Sequence, residues 1–451
     1  MKIVIVGAGS VGSAVCLQLA SEGHDITLID SSSEAVADIS NRCDVFGVEG
    51  NGANIGTLIK AGAEKADLLI AITSEDEINI LCCAAAKKLG TKNTVARVRN
   101  PEYSELMSLM QGDMNLSLTI NPELAVAKEI YKMLRFPSAR KIDSFCRGRV
   151  EMAEFVVSPD SPICGISLND LRAKLNMRFL ICAVLRDGEA HIPSGYFSIQ
   201  AGDVICFTVP DDQLTGFFKA IGAYKHPVRD VLVVGGGRTT YYLEELLRKG
   251  KINSTVIEKN KELCRELAEE FDCTVVCNDG TKQEVLLEEG LEKTDAFLAL
   301  SAEDEENAIV SMYAKSCNAD KVITMIKELS YIEFFKGVGL DSIVSPKFST
   351  VAQIVRFVRS MAQTGDSEIE SLYKLMDDHV EALEFLIKDD IDGITNVKLK
   401  ELKLEKGILI ACIVQKDKVI IPSGDDVIRR GDTVIIVTTT GQIKGIKEIL
   451  R

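Results

Sequence analysis

The chain has 451 residues, 46% apolar and 26% charged, and its 52 Lys and Arg against 67 Asp and Glu leave a net charge of −15. That length predicts several domains, and the acidic balance excludes broad, charge-driven binding to nucleic acid, leaving room only for a local basic patch. No apolar run approaches the roughly 18 residues needed to span a bilayer, and the chain runs straight into a strand with no signal peptide, so a cytoplasmic protein is expected.

The first apolar runs fall at residues 3–8, 26–30, 45–48, 68–73 and 94–98, rich in Val and Ile and separated by helix-like stretches. This alternation predicts βαβ units and a parallel sheet buried on both faces. Gly7, Gly9 and Gly12 form GxGxxG directly after the first run and open a helix. Gly7 permits the tight turn, Gly9 leaves its backbone open to a pyrophosphate, and Gly12 lets helix and strand pack closely. The helix N-terminus then offers free N–H groups and the positive end of its dipole. Asp30, at the end of the second run, is placed to accept both ribose hydroxyls of an adenosine, which favours NAD over NADP. Thr73 and Ser74 end the fourth run, and their T-x-x-D and S-x-x-E spacing predicts a helix cap. Glu75-Asp76-Glu77 then reads as a solvated helix start. Arg97 and Arg99 sit at alternate positions, so they share a side of the strand and can hold phosphates. After Asn121-Pro122 a helix is predicted up to Pro137, with Ala125, Val126, Ile130, Met133 and Leu134 on one stripe. Packing within its own domain and packing against a partner lobe both fit that stripe.

Residues 150–222 change character, to three apolar strands with hairpin-like turns at Arg186-Asp187-Gly188 and Ala201-Gly202-Asp203. The whole pattern then returns. At an offset of 228, Gly7 falls on Gly235, Gly9 on Gly237 and Asp30 on Glu258, and ADLLIAITSEDEINI lies over TDAFLALSAEDEENAI. The second helix stripe is Val351, Ile354, Val355, Val358 and Met361, and IPSG at 192–195 answers IPSG at 421–424. Such a long period means two tandem modules rather than a solenoid. The fold class expected is α/β: two tandem Rossmann-like parallel-sheet domains, each followed by a small α+β lobe, with divisions at 1–138, 139–225, 226–365 and 366–451.

The second turn reads GGGRTT, with Gly235, Gly236 and Gly237 kept but Thr240 where Gly12 stood. A β-branched residue there is expected to push the helix off the strand or demand a smaller neighbour. Arg238 can meet a phosphate, and Met325 and Lys327 replace the paired arginines. The first turn is therefore expected to be the working nucleotide site and the second a drifted duplicate. The 13 cysteines are scattered among apolar residues without a CxxC pair, and His24, His191, His226 and His379 have no metal-ligand spacing. Buried, reduced thiols and no metal site are expected. No spacing supports a catalytic constellation, so an NAD-dependent oxidoreductase is the lesser alternative.

MKIVIVGAGSVG, ADLLIAITSEDEINI, VARVRNPEY and their return at 231–331 resemble RCK (KTN) modules, the nucleotide-sensing domains that regulate potassium channels and transporters. Two in tandem without a membrane segment resemble the cytosolic TrkA-type regulatory subunits of Trk potassium uptake systems. The resemblance implies a pocket for NAD(H), ATP or ADP at Gly7, Gly9, Ser10, Val11, Gly12, Asp30, Thr73, Ser74, Arg97 and Arg99. In the second half it implies Gly235, Gly237, Arg238, Glu258, Ser301 and Lys327. It further implies a homo-oligomeric ring, expected as a tetramer, peripheral on the inner face of the membrane beneath a Trk-type potassium transporter subunit. Residues 122–135 and 346–361 would be crossover helices that pair the lobes, and nucleotide would gate the partner allosterically. The small lobes of some relatives bind other small ligands, including cyclic di-AMP.

Overall fold

The computed structural model describes residues 1–103, 116–175, 177–210, 213–362, 369–376, 379–416, 418–440, 443 and 445–451. The first module opens with six strands: β1 (Lys2–Val6), β2 (Asp25–Asp30), β3 (Phe46–Glu49), β4 (Leu68–Ala71), β5 (Asn93–Arg97) and β6 (Leu118–Ile120). They form one sheet in the order β3-β2-β1-β4-β5-β6. The pairings from β1 through β6 are parallel. Ile3 to Val6 and Leu68 to Ala71 are all buried, as the continuous apolar runs require of a sheet covered on both faces. The strand order reverses between β1 and β4, and the crevice beyond the strand ends at that point is where ligands of such sheets lie. The glycine turn leads from β1 into helix Ser10–Ser21 there.

Five antiparallel strands follow: β7 (Lys141–Phe145), β8 (Val150–Val156), β9 (Leu180–Arg186), β10 (Glu189–His191) and β11 (Val204–Thr208), in the order β10-β9-β11-β8-β7. Asp187 and Gly188, both with positive φ, make the two-residue turn of the β9–β10 hairpin. The turn at Ala201-Gly202-Asp203 is not a hairpin, because β11 pairs with β8 and β9. Its Asp203 is buried and takes both Nε and Nη2 of Arg186 at 2.7 Å. Strands β6 and β7 lie outside the runs singled out in the sequence.

The second module repeats both sheets. Its parallel strands are β12 (Asp230–Val234), β13 (Asn253–Glu258), β14 (Thr274–Cys277), β15 (Ala296–Ala299), β16 (Lys321–Met325) and β17 (Ile343–Val344), in the order β14-β13-β12-β15-β16-β17. Its small lobe has β18 (Ile369–Leu375), β19 (Val380–Leu386), β20 (Ile408–Gln415), β21 (Lys418–Ile420) and β22 (Thr433–Thr438), in the order β18-β19-β22-β20-β21.

By contacts the chain forms two compact units that do not follow the order of the sequence. One holds both parallel-sheet lobes, Met1–Tyr131 with Val228–Val355; the other holds both small lobes, Lys132–Pro227 with Arg356–Arg451. The helices Pro122–Arg135 and Pro346–Ala362 each run from one unit into the other. On them Val126, Ile130, Met133 and Leu134, and Val351, Ile354, Val355 and Val358, are buried. The sequence division at 365/366 lies outside the described residues.

Within the small-lobe unit the two β-sheets share one core, in which Phe145, Met152 and Cys206 pack with Met376, Ala411 and Cys412. Two buried carboxylates tie them reciprocally. Glu154 on β8 accepts the Met376 N–H at 2.8 Å, and Glu384 on β19 accepts the Cys146 N–H at 3.3 Å. Cys146 and Met376 both turn with positive φ, so each presents its N–H to the other lobe's carboxylate.

Candidate nucleotide site

Gly7 takes φ +109°, and a side chain there would stand 3.0 Å from the Ile72 backbone. Gly9 has open space before it, as the approach of a pyrophosphate requires. A Cβ on Gly12 would fall 1.8 Å from the Gly7 carbonyl oxygen, so only glycine fits. In the second module Thr240 is accommodated: it is buried, and its hydroxyl donates to the Gly235 carbonyl at 2.6 Å. The Thr240 hydroxyl thus ties the helix to the turn with a hydrogen bond.

Asp30 and Glu258, the acids expected at a ribose, make matching contacts. Asp30 accepts the N–H groups of Ala8 (2.7 Å) and Ser32 (2.8 Å); Glu258 accepts those of Gly236 (2.6 Å) and Asn260 (2.7 Å). A Cβ on Gly236 would meet Glu258 Cγ at 3.0 Å and Cβ at 3.1 Å. The middle glycine of GGG thus makes room for the longer acid, where Ala8 suffices beside Asp30.

Thr73 is not a helix cap. Helix Asp76–Leu89 is capped at Glu75 with no side-chain bond, while the Thr73 hydroxyl donates to Asn79 Oδ1 at 2.8 Å. Ser74 contributes its carbonyl to Arg99 Nη2 at 2.7 Å. The acidic cluster is only partly solvated. Glu75 and Glu77 are exposed, but Asp76 is buried and accepts the N–H groups of Arg99 and Asn100 at 2.7 and 2.8 Å. Asp304 repeats this with Lys327 and Glu328. The chain leaving β5 or β16 carries N–H groups with no sheet partner, and these carboxylates satisfy them.

Asn79 and Asn307 were not singled out, yet both are fully buried and staple adjacent strand ends. Asn79 accepts the Thr73 N–H at 2.8 Å and donates to the Arg97 carbonyl at 3.0 Å; Asn307 accepts from Ser301 and donates to Met325. Their signal was a neutral polar residue recurring at one place on a helix face in both modules. Tyr242 is another omission: its hydroxyl donates to the Arg99 carbonyl at 3.0 Å and accepts from Asn121 Nδ2 at 2.7 Å, joining the second glycine helix to the first lobe.

A cavity of about 800 Å³ opens at the second turn and extends to the first lobe. All six predicted second-module residues, Gly235, Gly237, Arg238, Glu258, Ser301 and Lys327, line it. From the first module it reaches Ser10, Val11, Arg97 and Arg99, whereas Gly7, Gly9, Gly12, Asp30, Thr73 and Ser74 surround the first turn and are not in its lining. The turn expected to be the lesser one therefore carries this cavity, and the two arginines of the first lobe serve it.

The electrostatics suit an anion. Arg97 donates to the Thr73 carbonyl, but its buried Nε has no hydrogen-bond partner, while Nε of Arg99 stands 3.8 Å from Asp76 Oδ1 in an ion pair. Burial, then the neighbouring Arg99 charge, pulls the Arg97 pKa below its ordinary value. Glu123, at the start of the helix after β6, has its pKa raised by burial against the opposing pull of Arg99, Arg97 and Arg238. Two guanidinium groups beside an open glycine turn, Arg97 with an unmet donor, fit a nucleotide's phosphates. Lys327 repeats the Arg99 contact, donating to the Ala302 carbonyl at 2.7 Å. Among the described residues no His, Cys, Asp and Glu group could hold a metal ion, and no helix is long and apolar enough to cross a membrane.

Comparison with known proteins matches this architecture along its length. The TrkA-N domain model matches residues 3–117 and 231–346, and the TrkA-C domain model matches 152–222 and 392–451. The chain is 32% identical to the Trk system potassium uptake protein TrkA homolog of Archaeoglobus fulgidus, over 100% of both chains. It is 34% identical to TrkA homolog 1 of Methanosarcina mazei over 97% of both, and 30% identical to TrkA of Vibrio alginolyticus over 97% of this chain and 95% of that one. Among solved structures, the GsuK channel bound to NAD superposes with a TM-score of 0.64 at 16% identity, covering 97% of this chain and 77% of that one. The GsuK RCK domain gives 0.63 at 15% identity, covering 97% and 92%, a likeness of fold. With both domain types matched twice, in tandem, and with full-length relatives above 30% identity, the chain belongs to the TrkA family of Trk system potassium uptake proteins.

Proposed function

We propose that this chain is a nucleotide-sensing regulatory subunit of a Trk-type potassium transporter and not an enzyme. The observation that carries this reading is the cavity in which Arg238 and Lys327 of the second module face Arg97 and Arg99 of the first. A polyphosphate there draws charges from both lobes together, so its occupancy biases how the lobes sit, and that bias is what a gate can read. The Trk potassium uptake relatives and the GsuK channel, seen bound to NAD and to ADP, support a nicotinamide or adenine nucleotide, NAD(H) and/or ATP/ADP, in this chain.

The reading includes four domains divided at 138, 225 and 365, a cytoplasmic location against the membrane partner, and a tetrameric ring. Matching exposed apolar positions support a repeated contact: Leu81 (56% exposed) answers Ile309 (66%), and Ile59 (45%) answers Leu287 (43%). Calorimetry with ATP, ADP and NADH on the full chain tests the site. Potassium flux through the co-expressed transporter, with and without those nucleotides, tests the function, and flux indifferent to both protein and nucleotide ends the proposal. Ile309→Glu should lower the mass seen by light scattering; an unchanged assembly removes that face from the ring.

A further inference from the structure

Cys264 and Cys277 converge on the backbone of Glu258. Cys277 ends β14 and is the register partner of Glu258 on the neighbouring strand. Cys264, in the first turn of helix Lys261–Glu270, donates its thiol to the Glu258 carbonyl at 3.2 Å. The same carbonyl accepts the Asn278 N–H at 3.0 Å. Both cysteines therefore flank the Glu258 backbone, and burial, then the neighbouring Cys277 thiol, lifts the Cys264 pKa to about 11. Cys264 is buried, whereas Cys277 is exposed, contrary to the expectation that the thiols would be buried. The first module has Val36 and Glu49 at these two places, so the pair belongs to the second module alone.

We propose that Cys264 and Cys277 form a redox-responsive thiol pair that closes to a disulfide and alters the strand end bearing Glu258. The oxidant class is a hydroperoxide. The exposed Cys277 thiolate attacks one peroxide oxygen, the O–O bond breaks, and with one proton Cys277 becomes a sulfenic acid as water leaves. The Cys264 sulfur then displaces that hydroxyl, which leaves as water with the Cys264 proton, and the S–S bond forms. Two thiols lose two electrons and two protons, and one hydrogen peroxide becomes two waters. The buried partner is the resolving sulfur and the accessible one the sensor, the arrangement such chemistry requires. Closure removes the thiol donor from the Glu258 carbonyl and ties the helix to β14. The acid's contacts to Gly236 and Asn260 are thereby disturbed. An effect on ligand affinity would rest on the nucleotide reading above; the disulfide itself does not.

The test treats the full chain with low hydrogen peroxide, blocks free thiols, and maps peptides by mass spectrometry. The expected result is a peptide pair linked through Cys264 and Cys277, lighter by two hydrogens and restored by dithiothreitol. Amide exchange at Gly236 and Asn260 should quicken several-fold on oxidation and revert on reduction. Cys264→Ser should leave Cys277 to over-oxidise to sulfinic acid, and Cys277→Ser should leave Cys264 reduced. Sulfinic acid at Cys277 with Cys264 free in the wild type, or a link from Cys277 to Cys273, overturns the proposal. Exchange at Gly236 and Asn260 unmoved by a formed disulfide overturns its coupling to Glu258. Failure of nucleotide to bind the reduced protein would instead count against the proposed function, leaving these thiol readouts unchanged.

Discussion

Gly236→Ala isolates the compensation between the turn and its acid. The new methyl would stand 2.9 Å from Leu267 Cδ1, 3.0 Å from Glu258 Cγ and 3.1 Å from Glu258 Cβ. Glu258 cannot swing away freely, because its two oxygens hold Gly236 N and Asn260 N at 2.6 and 2.7 Å. Overpacking of this kind costs about 1–3 kcal/mol. At roughly 2–4 °C per kcal/mol for a unit of this size, melting should fall by about 2–12 °C. Glu258→Asp alone withdraws the carboxylate by roughly 1.5 Å, one C–C bond, and weakens two charge-assisted bonds worth about 1.5–3 kcal/mol each. Together the substitutions recreate Ala8 and Asp30, which hold the same contacts at 2.7 and 2.8 Å in the first module. The double variant should therefore melt well above the sum of the single losses, with a coupling of about 1–3 kcal/mol. Thermal unfolding without nucleotide keeps lost binding out of the comparison. Additive losses would refute the compensation.

Gly12→Thr should destabilise the chain by about 3 kcal/mol or more, since its Cβ would fall 1.8 Å from the Gly7 carbonyl oxygen. Thr240→Gly should cost only about 1–2 kcal/mol, from a lost hydrogen bond and a helix glycine; melting curves that reverse this order contradict the geometry. Asp30→Ala should lower melting through the lost Ala8 and Ser32 contacts and weaken nucleotide binding in calorimetry; unchanged affinity for ATP, ADP and NADH removes it from the site. Burial raises the Glu154 pKa, with Lys141 opposing. The stability it contributes is complete below the ordinary Glu value of about 4.3 and is lost as pH rises through the raised value. Glu154→Gln keeps the acceptor for Met376 without titrating, so its melting should gain on wild type as pH rises above the ordinary Glu value; a difference that does not change with pH counts against this assignment.

The parallel sheets were legible because their strands are continuous Val and Ile runs, the pattern a strand buried on both faces requires. Strands β6 and β17 were not: three and two residues long, they carry too little pattern to stand apart from a loop. The glycine turns were legible because φ near +100° at Gly7 and Gly235 is a local demand of the backbone. Thr73 was misread as a cap because the competing acceptor, Asn79, lies six residues on and meets it only when the helix folds back over the strand end.

The sequence by itself determined the two modules, their sheet type, the turns and the acids Asp30 and Glu258, since each depends on residues near in the chain or on a period that repeats. Tertiary structure alone decided what those parts share. It set Arg97 and Arg99 of the first lobe against the second module's cavity. It exchanged backbone hydrogen bonds between Glu154 and Glu384 across the small lobes. It also brought Cys264 and Cys277 to the backbone of Glu258. These are contacts between residues far apart in the chain, and no local propensity or spacing encodes the distance between two elements that pack only after both have formed.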